Sequence, residues 1–473
     1  MDYDISELKR WDEVIREKAD EFGLSCYPQD FEICDHNQML GYMAYSGMPS
    51  HYPHWSYGKS YEKIKTLYDY GVSGLPYEMV INASPALAYL MRDNSLLLQI
   101  LTMAHVYGHN DFFKNNIGFS RTRPELTINM FKIHAQRIES YIEDPSIGID
   151  RVENMIDAAH SVSLQCNRNV LLRAETRKEQ KERLIDAARP VNDPFQRIHA
   201  RPDYKEPDFH KIPLEPEENL LLFIRDYNPR LEEWQKDILT IVHEQTQYFI
   251  PQIETKIMNE GWACYWHREI LNAIQVPQNL HIEFLVRHNQ VVRPHPWNEG
   301  FNPYHLGLKV WDYIKRRWDD PTPKEIEKYG KPEKSGREKM FEVREADRDV
   351  SFLRRFLTEE LIRELRAFQF EEKGDEIVVT HVADEDDWRI IKDTMILNIG
   401  MGSVPVIKIE DADGLKNRTL ILKHYHEGRD LDRENVEKTL CYTQTLWGHA
   451  VQLETLINSG KKVYSVNENG KFS

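Results

Sequence analysis

Asn94-Ser95-Leu96-Leu97-Leu98-Gln99-Ile100-Leu101-Thr102-Met103-Ala104-His105-Val106-Tyr107-Gly108-His109-Asn110-Asp111-Phe112-Phe113 decides how this chain is read. Asn94 and Ser95 are helix-capping residues, and Leu97, Leu98, Leu101, His105, His109 and Phe112 then recur at helical spacing. The spacing predicts a helix whose apolar stripe carries both histidines, so both face the interior. Four residues apart is about one turn, which lets both imidazoles address a single ion. In His-Glu-x-x-His zinc hydrolases the catalytic glutamate follows the first histidine; here that position is Val106. A catalytic base must therefore come from elsewhere in the chain.

The complement lies in Met258-Asn259-Glu260-Gly261-Trp262-Ala263-Cys264-Tyr265-Trp266-His267. Burying an ionised Glu260 beside Trp262 and Trp266 is expensive unless the carboxylate is paired or metal-bound. Gly261 costs a helix about 1 kcal/mol relative to Ala, and a small residue there permits close approach of another helix. Glu260 is thus expected as the third ligand, beside His105 and His109, of zinc or another divalent transition metal. Glu260, Cys264 and His267 share one helical face, but Glu260 and His267 are two turns, about 10 Å, apart. His267 is expected as a proton donor or orienting group rather than as a ligand of the same ion.

Glu78 sits among apolar residues in Tyr77-Glu78-Met79-Val80-Ile81-Asn82. A buried carboxyl there has a raised pKa and suits the general base that Val106 cannot provide. His54, with Trp55 and Tyr57, is expected to line the same cleft, and Asn110 and Asp111 to orient the histidine rings. The competing reading is a polar core: two hydrogen-bonded histidines, a Glu260 paired with Arg or His, and a Glu78 accepting from backbone amides.

Three other patterns are weaker. His243-Glu244-Gln245-Thr246-Gln247 is one substitution from the metalloprotease motif, but Gln is a poor zinc ligand and an exposed helical face reads better. Gly400-Met401-Gly402 is followed by no Lys-Ser/Thr and is no phosphate loop. His424 and His426 alternate on a strand-like segment and read as an exposed edge.

The net charge of −16 argues against a general nucleic-acid binder, since phosphate contacts need clustered Lys and Arg. Five cysteines with no Cys-x-x-Cys suit a reducing cytoplasm. The opening Met1-Asp2-Tyr3-Asp4-Ile5-Ser6-Glu7 is acidic and lacks a secretory signal. The richest apolar run, Leu96 to Val106, is broken by Gln99 and His105, so no membrane span is expected. A cytoplasmic protein follows from these readings.

The expected architecture is α+β: a large, mainly helical N-terminal domain with zincin-like site helices, and a small C-terminal α+β domain. The helical domain covers 1–317 and includes a charged, Pro-rich connection at 177–217. Residues 318–340 read as an exposed linker and 341–473 as the small domain. Fifteen of nineteen histidines precede residue 306, which places acid–base or metal chemistry in the helical part. Ser84-Pro85 is expected to open a helix to Met91, and Arg433 to Leu456 to form another. Strands are expected near 375–382, 404–409, 418–424 and 462–466, with a turn at Asp411-Ala412-Asp413-Gly414.

Four long segments carry a family resemblance: Tyr52-Pro53-His54-Trp55-Ser56-Tyr57-Gly58-Lys59, Tyr77 to Asn82, His105 to Phe113, and Pro251 to Ala263. With Asn302-Pro303-Tyr304-His305-Leu306-Gly307, they resemble the stage V sporulation protein R (SpoVR) family over essentially the whole chain. The resemblance implies a role in forming the spore cortex, a peptidoglycan layer. It also implies partnership with a PrkA-type serine kinase and a von Willebrand A-like protein. It supplies no reaction. A metal-dependent amide or peptide hydrolase and a non-catalytic regulator or scaffold both remain open from the sequence.

Overall fold

A computed structural model of the chain describes residues 3–70, 77–168, 173, 175–188, 208–274, 276–295, 300–373, 376–382, 387–412, 417–458 and 460–473. The chain opens with α1 (Ile5–Glu21), β1 (Gln29–Cys34), α2 (His36–Ala44) and α3 (Trp55–Asp69). The strands β2 (Glu78–Ile81) and β3 (Ala86–Met91) precede α4 (Leu96–Asn115) and α5 (Thr127–Glu143). Next come α6 (Ile149–Val162), α7 (Arg177–Ala188), α8 (Leu220–Tyr227), α9 (Glu233–Glu254) and α10 (Lys256–Ala273). Then follow α11 (Gln278–Val291), α12 (Pro303–Asp319), α13 (Pro323–Tyr329), α14 (Gly336–Ala346), α15 (Asp349–Phe356) and α16 (Glu359–Glu364). A hairpin of β4 (Phe368–Lys373) and β5 (Glu376–Val382) leads to α17 (Trp388–Leu397). The chain ends with β6 (Ile407–Asp411), β7 (Leu420–His424), α18 (Arg433–Trp447), β8 (Val451–Ile457) and β9 (Gly460–Val466). The fold is α+β, as the residue patterns predict. Among the described residues no helix is long and apolar enough to cross a membrane.

Two compact units divide the chain: Met1–Glu139 with Tyr248–Ser403, and Ser140–Gln247 with Val404–Ser473. These limits differ from boundaries at 317 and 341. Residues 318–340 are not a bare linker. Thr322 with Glu325, and Ser335 with Glu338, form two capping boxes that start α13 and α14. Of the 177–217 connection, the first part is helix α7 and 189–207 lie outside the described residues.

At the centre of the first unit, the Ser95 hydroxyl accepts from the Leu98 amide at 3.2 Å and starts α4. Every residue of α4 from Leu97 to Phe113 is buried, so this helix is enclosed on all sides. α10 packs along it and is nearly as buried. Thr255 makes no side-chain cap for α10. Instead, Asp349 of α15 accepts from the Ile257 and Met258 amides, both at 2.9 Å, and satisfies two orphan donors from outside the helix.

Glycines let these helices meet backbone to backbone. A Cβ on Gly108 would lie 2.6 Å from the Ala263 Cα, and one on Gly261 would lie 2.3 Å from the Gly307 carbonyl carbon. The pairs α4–α10 and α10–α12 are thereby drawn together at the level of His105, His109 and Glu260. Trp262 meets Trp266, Trp311 and Phe341 edge to face in the apolar core.

A buried ion pair locks the other face of α4. Asp111 accepts from Arg344 of α14 at 2.7 and 2.8 Å, from the Trp262 indole at 2.9 Å and from the Ser25 amide at 2.8 Å. Arg344→Met is expected to destabilise the chain by about 3–5 kcal/mol, because the Asp111 charge is left buried and unpaired. Urea denaturation followed by tryptophan fluorescence measures this; an unchanged midpoint would remove the pair from the fold's essential contacts.

β3 is the centre of a three-stranded sheet, parallel to β1 and antiparallel to β2. This corrects the helix expected over 85–91. Ala86-Leu87-Ala88-Tyr89-Leu90-Met91 is a short apolar run, whose period does not separate strand from buried helix, and pairing on both edges decides for the strand. β2 enters with Glu78, paired opposite Leu90.

In the second unit the sheet order is β6-β7-β8-β9, with α18 linking the parallel pair β7 and β8 and packing on α6. The helix expected to reach Leu456 ends at Trp447. Gly448 takes a left-handed conformation (φ 74°) there, and the alternating Val451, Leu453 and Thr455 continue as β8. Glu217 bridges to Ile409 beside β6. His424 is buried and pairs with Thr455 at 2.9 Å, and His426 pairs with Asp430 at 2.8 Å, so they are not one exposed edge. The turn residues Asp413 and Gly414 lie outside the described residues.

Candidate metal centre

His105 and His109 stand one turn apart on α4 with ring centroids 4.6 Å apart, nearly perpendicular. Their Nε2 atoms converge on Glu260 of α10: His109 Nε2 is 3.4 Å and His105 Nε2 3.7 Å from Glu260 Oε2. Glu78, carried in on β2, places Oε1 at 3.9 Å from His105 Nε2. Glu260 Oε2 is buried and makes no hydrogen bond of ordinary geometry. Glu260 thus reaches both imidazoles, and Glu78, His105 and His109 bring ligand atoms within 4.8 Å of one another, from three elements distant in sequence.

The far sides of both rings are held. His109 Nδ1 lies 2.9 Å from Asn259 Oδ1. An amide oxygen only accepts, so His109 carries a proton on Nδ1, and Nε2 is the nitrogen that faces the carboxylates. His105 Nδ1 lies 2.9 Å from His267 Nδ1, and His267 Nε2 lies 2.7 Å from His288 Nδ1 on α11. Both nitrogens of His267 are therefore engaged by other rings. His267 itself is fully buried.

The two carboxyls are pushed apart electrostatically. Burial raises Glu78 above the ordinary carboxyl range, and the charge of Glu260 adds to it against the two histidines. Burial also acts on Glu260, but the two imidazoles outweigh it and hold this carboxyl well below the usual range. For His109, burial opposes the charged form, and Glu260 and Asn259 override it. Such a divergence in one site is how two carboxyls take different roles. Tyr304, at the start of α12, is held well above the usual phenol range by the charge of Glu260 and by burial. It stays a neutral O–H donor beside the carboxylate.

Ligand atoms bound at about 2.0–2.1 Å to a tetrahedral ion stand about 3.3–3.4 Å apart. The Nε2–O separations of 3.4, 3.7 and 3.9 Å approach that edge. They exceed the 2.7–2.9 Å or so of a charge-assisted hydrogen bond. A second grouping, His105 with Cys264 and His267, also brings ligand atoms within 4.8 Å. There the two nitrogens are 2.9 Å apart, a hydrogen bond rather than a ligand edge, and burial drives the Cys264 thiol far from ionisation. The residues present suit an ion among Glu78, His105, His109 and Glu260.

Of the residues singled out in the sequence, Glu78, His105, His109 and Glu260 come together, and His267 backs His105. His54 does not join them; its Nδ1 caps α3 and its ring packs by Trp55 and Tyr57. Asn110 and Asp111 do not orient the histidines. Asn110 holds the Tyr27 backbone and Gln29, and Asp111 holds Arg344. They lie on another face of α4, because one or two residues beyond His109 is about 100–200° around a helix. Asn259, His288 and Tyr304 were not foreseen. Asn259 adjoins Glu260 and Tyr304 lies in a conspicuous motif, but no local signal marks His288.

Residues 2–404 match a family model described as SpoVR like protein, and residues 405–458 match one described as SpoVR-like C-terminal domain. The junction of the two falls within two residues of the return to the second compact unit at Val404. A protein of Escherichia coli (strain K12) named "Uncharacterized protein YcgB" is 35% identical over 455 residues, covering 92% of this chain and 88% of that protein. No solved structure matches.

Proposed function

The chain belongs to the SpoVR family, and we propose that its first unit is a metal-dependent hydrolase of amide or peptide bonds. His105, His109 and Glu260 hold zinc or another divalent transition metal, with Glu78 beside them. One observation carries the reading: a buried Glu260 oxygen without an ordinary hydrogen bond, facing two imidazole nitrogens at nearly ligand-edge spacing. A polar core would close those gaps to hydrogen-bond length, as the Nδ1 sides of the same rings do.

Bound there, such an ion supplies Lewis acidity, lowering the pKa of water and polarising a carbonyl. Glu78 fills the role left open by Val106. Its raised carboxyl is the better matched of the two to accept a proton from the attacking water at Oε1. Tyr304 offers its O–H to developing negative charge, and Asn259 keeps His109 in the tautomer that presents Nε2. Family membership fits a sporulation-associated role. Cortex peptidoglycan chemistry, acting on muramyl peptide precursors in the cytoplasm, is the substrate class we attach to it. A PrkA-type kinase and a von Willebrand A-like partner belong to the same proposal. They would regulate rather than build the centre, since all its side chains come from this chain.

Full-length protein purified without chelator is expected to hold about one transition-metal ion per chain by mass spectrometry, or to take one up on addition of zinc. A chain that holds none and takes up none refutes the proposal. Glu78→Gln is expected to keep the ion and to slow hydrolysis of a muramyl peptide about 10²–10⁴-fold. An unchanged rate would remove Glu78 as base.

A further inference from the structure

His288 has no place in the chemistry above, yet it is buried and sits two hydrogen bonds from His105. α11, which carries it, is fastened at its middle and at its C-terminal end. Ser95, the cap of α4, donates to Glu283 at 2.6 Å. Asn302 donates to the Val291 and Arg293 carbonyls at 2.9 and 2.7 Å, and His305 Nδ1 meets the Val292 carbonyl at 2.9 Å. The ring of His288 is thus held at a fixed place against His267, centroid to centroid 5.0 Å and nearly perpendicular.

The three rings admit one consistent set of protons once the Nε2 of His105 faces an ion. A neutral imidazole carries one N–H and one lone pair. With Nε2 as ligand, the proton of His105 must be on Nδ1, donating to the lone pair on His267 Nδ1. The proton of His267 is then on Nε2, donating to His288 Nδ1, and His288 keeps its own on Nε2. Any ring in the opposite tautomer sets two N–H groups, or two lone pairs, face to face at 2.9 or 2.7 Å. The tautomer of one ring therefore dictates the others. The chain carries no proton away from the ion, because a liganded His105 has no lone pair left to accept one.

We propose that His288, acting through His267, is a positioning residue of the metal centre, holding His105 with its proton on Nδ1 and its Nε2 lone pair toward the ion. The inference rests on the metal-site reading above. Hydrogen bonds to the outer nitrogen of a ligand histidine fix its orientation, and losing one typically costs 10–100-fold in metal affinity. Here the control extends one ring further, to a residue 183 positions along the chain from His105.

Zinc affinity of the full-length protein, measured by competition with a chromophoric chelator, tests this with two substitutions. His288→Leu removes the acceptor and is expected to weaken zinc binding about 10–100-fold. His288→Asn places an amide oxygen where Nδ1 stands and is expected to bind zinc close to the wild-type affinity. Nitrogen-15 spectra of zinc-loaded wild-type protein with labelled histidine give a readout free of any variant's folding. His105 protonated on Nδ1, with His267 and His288 on Nε2, supports the chain. The reverse assignment at His267 or His288 overturns it. If the wild type binds zinc and His288→Leu binds it as tightly, the inference fails and the metal site stands. The same holds if His288→Asn is as weak as His288→Leu. If the wild type binds no zinc, both fall.

Discussion

Replacing His105 and His109 together by alanine is expected to abolish metal uptake by the full-length chain, from about one ion to none. The two imidazoles are the only nitrogen donors among the four groups Glu78, His105, His109 and Glu260. Glu78 and Glu260 left alone are two carboxylates that repel each other. Loss of the rings also strands Asn259 and His267, at about 1–3 kcal/mol for each unsatisfied buried group, so stability must be followed in parallel. The decisive comparison is thermal. Added zinc is expected to raise the melting temperature of the wild type as its concentration rises, by mass action on the folded state. It is expected to leave that of the double variant unmoved. A double variant that still takes up an ion and is still stabilised by zinc would place the metal elsewhere.

Gly261→Ala is expected to be more damaging than its size suggests, costing more than about 4 kcal/mol. The new Cβ would lie 2.3 Å from the Gly307 carbonyl carbon and 2.5 Å from its Cα. Those atoms are backbone, so no rotamer change relieves the clash, and α10 and α12 must separate. Glu260 moves with α10, and metal uptake is expected to fall together with stability. Gly58→Ala is the matched control. It lies in α3, is exposed, and has nothing within 4 Å of its Cβ position. Alanine there is expected to stabilise by about 0.5–1 kcal/mol through helix propensity. Urea midpoints of both variants check the contrast. Equal effects would mean that the close approach of α10 and α12 carries no special weight.

The helical residues of the centre were legible because their signal is local. His105 and His109 fall on one face whenever the segment is helical, and the leucines before them leave little doubt of a helix. Glu260 was legible through chemistry: a carboxylate in an apolar helix ahead of two tryptophans, next to a glycine that only close packing explains. Glu78 could be named from its apolar setting, although the strand that delivers it was not expected beside a strand at 86–91. The short run from Ala86 to Met91 reads equally as helix or strand until β1 and β2 pair with it.

What stayed hidden depends on contacts between segments far apart. Asn110 and Asp111 look like natural partners for the adjacent histidines, but helix geometry turns them toward Gln29 and Arg344. The true partners, Asn259 and His267, arrive from α10, and His288 from α11. A capping box such as Thr322 to Glu325 shows why charge and proline content misled over 318–340. Polar residues that read as solvent-exposed linker also satisfy helix ends.

The amino-acid sequence by itself determined the family, the α+β class and the groups able to hold an ion, because periodicity, motif length and side-chain chemistry are properties of short segments. Only the tertiary structure decided which of those groups meet. That choice rests on three helices brought to backbone contact at Gly108, Gly261 and Gly307, and on which nitrogen of each histidine another segment claims. Distances of a few ångströms between residues some 150 positions apart are set by packing, and no local pattern encodes them.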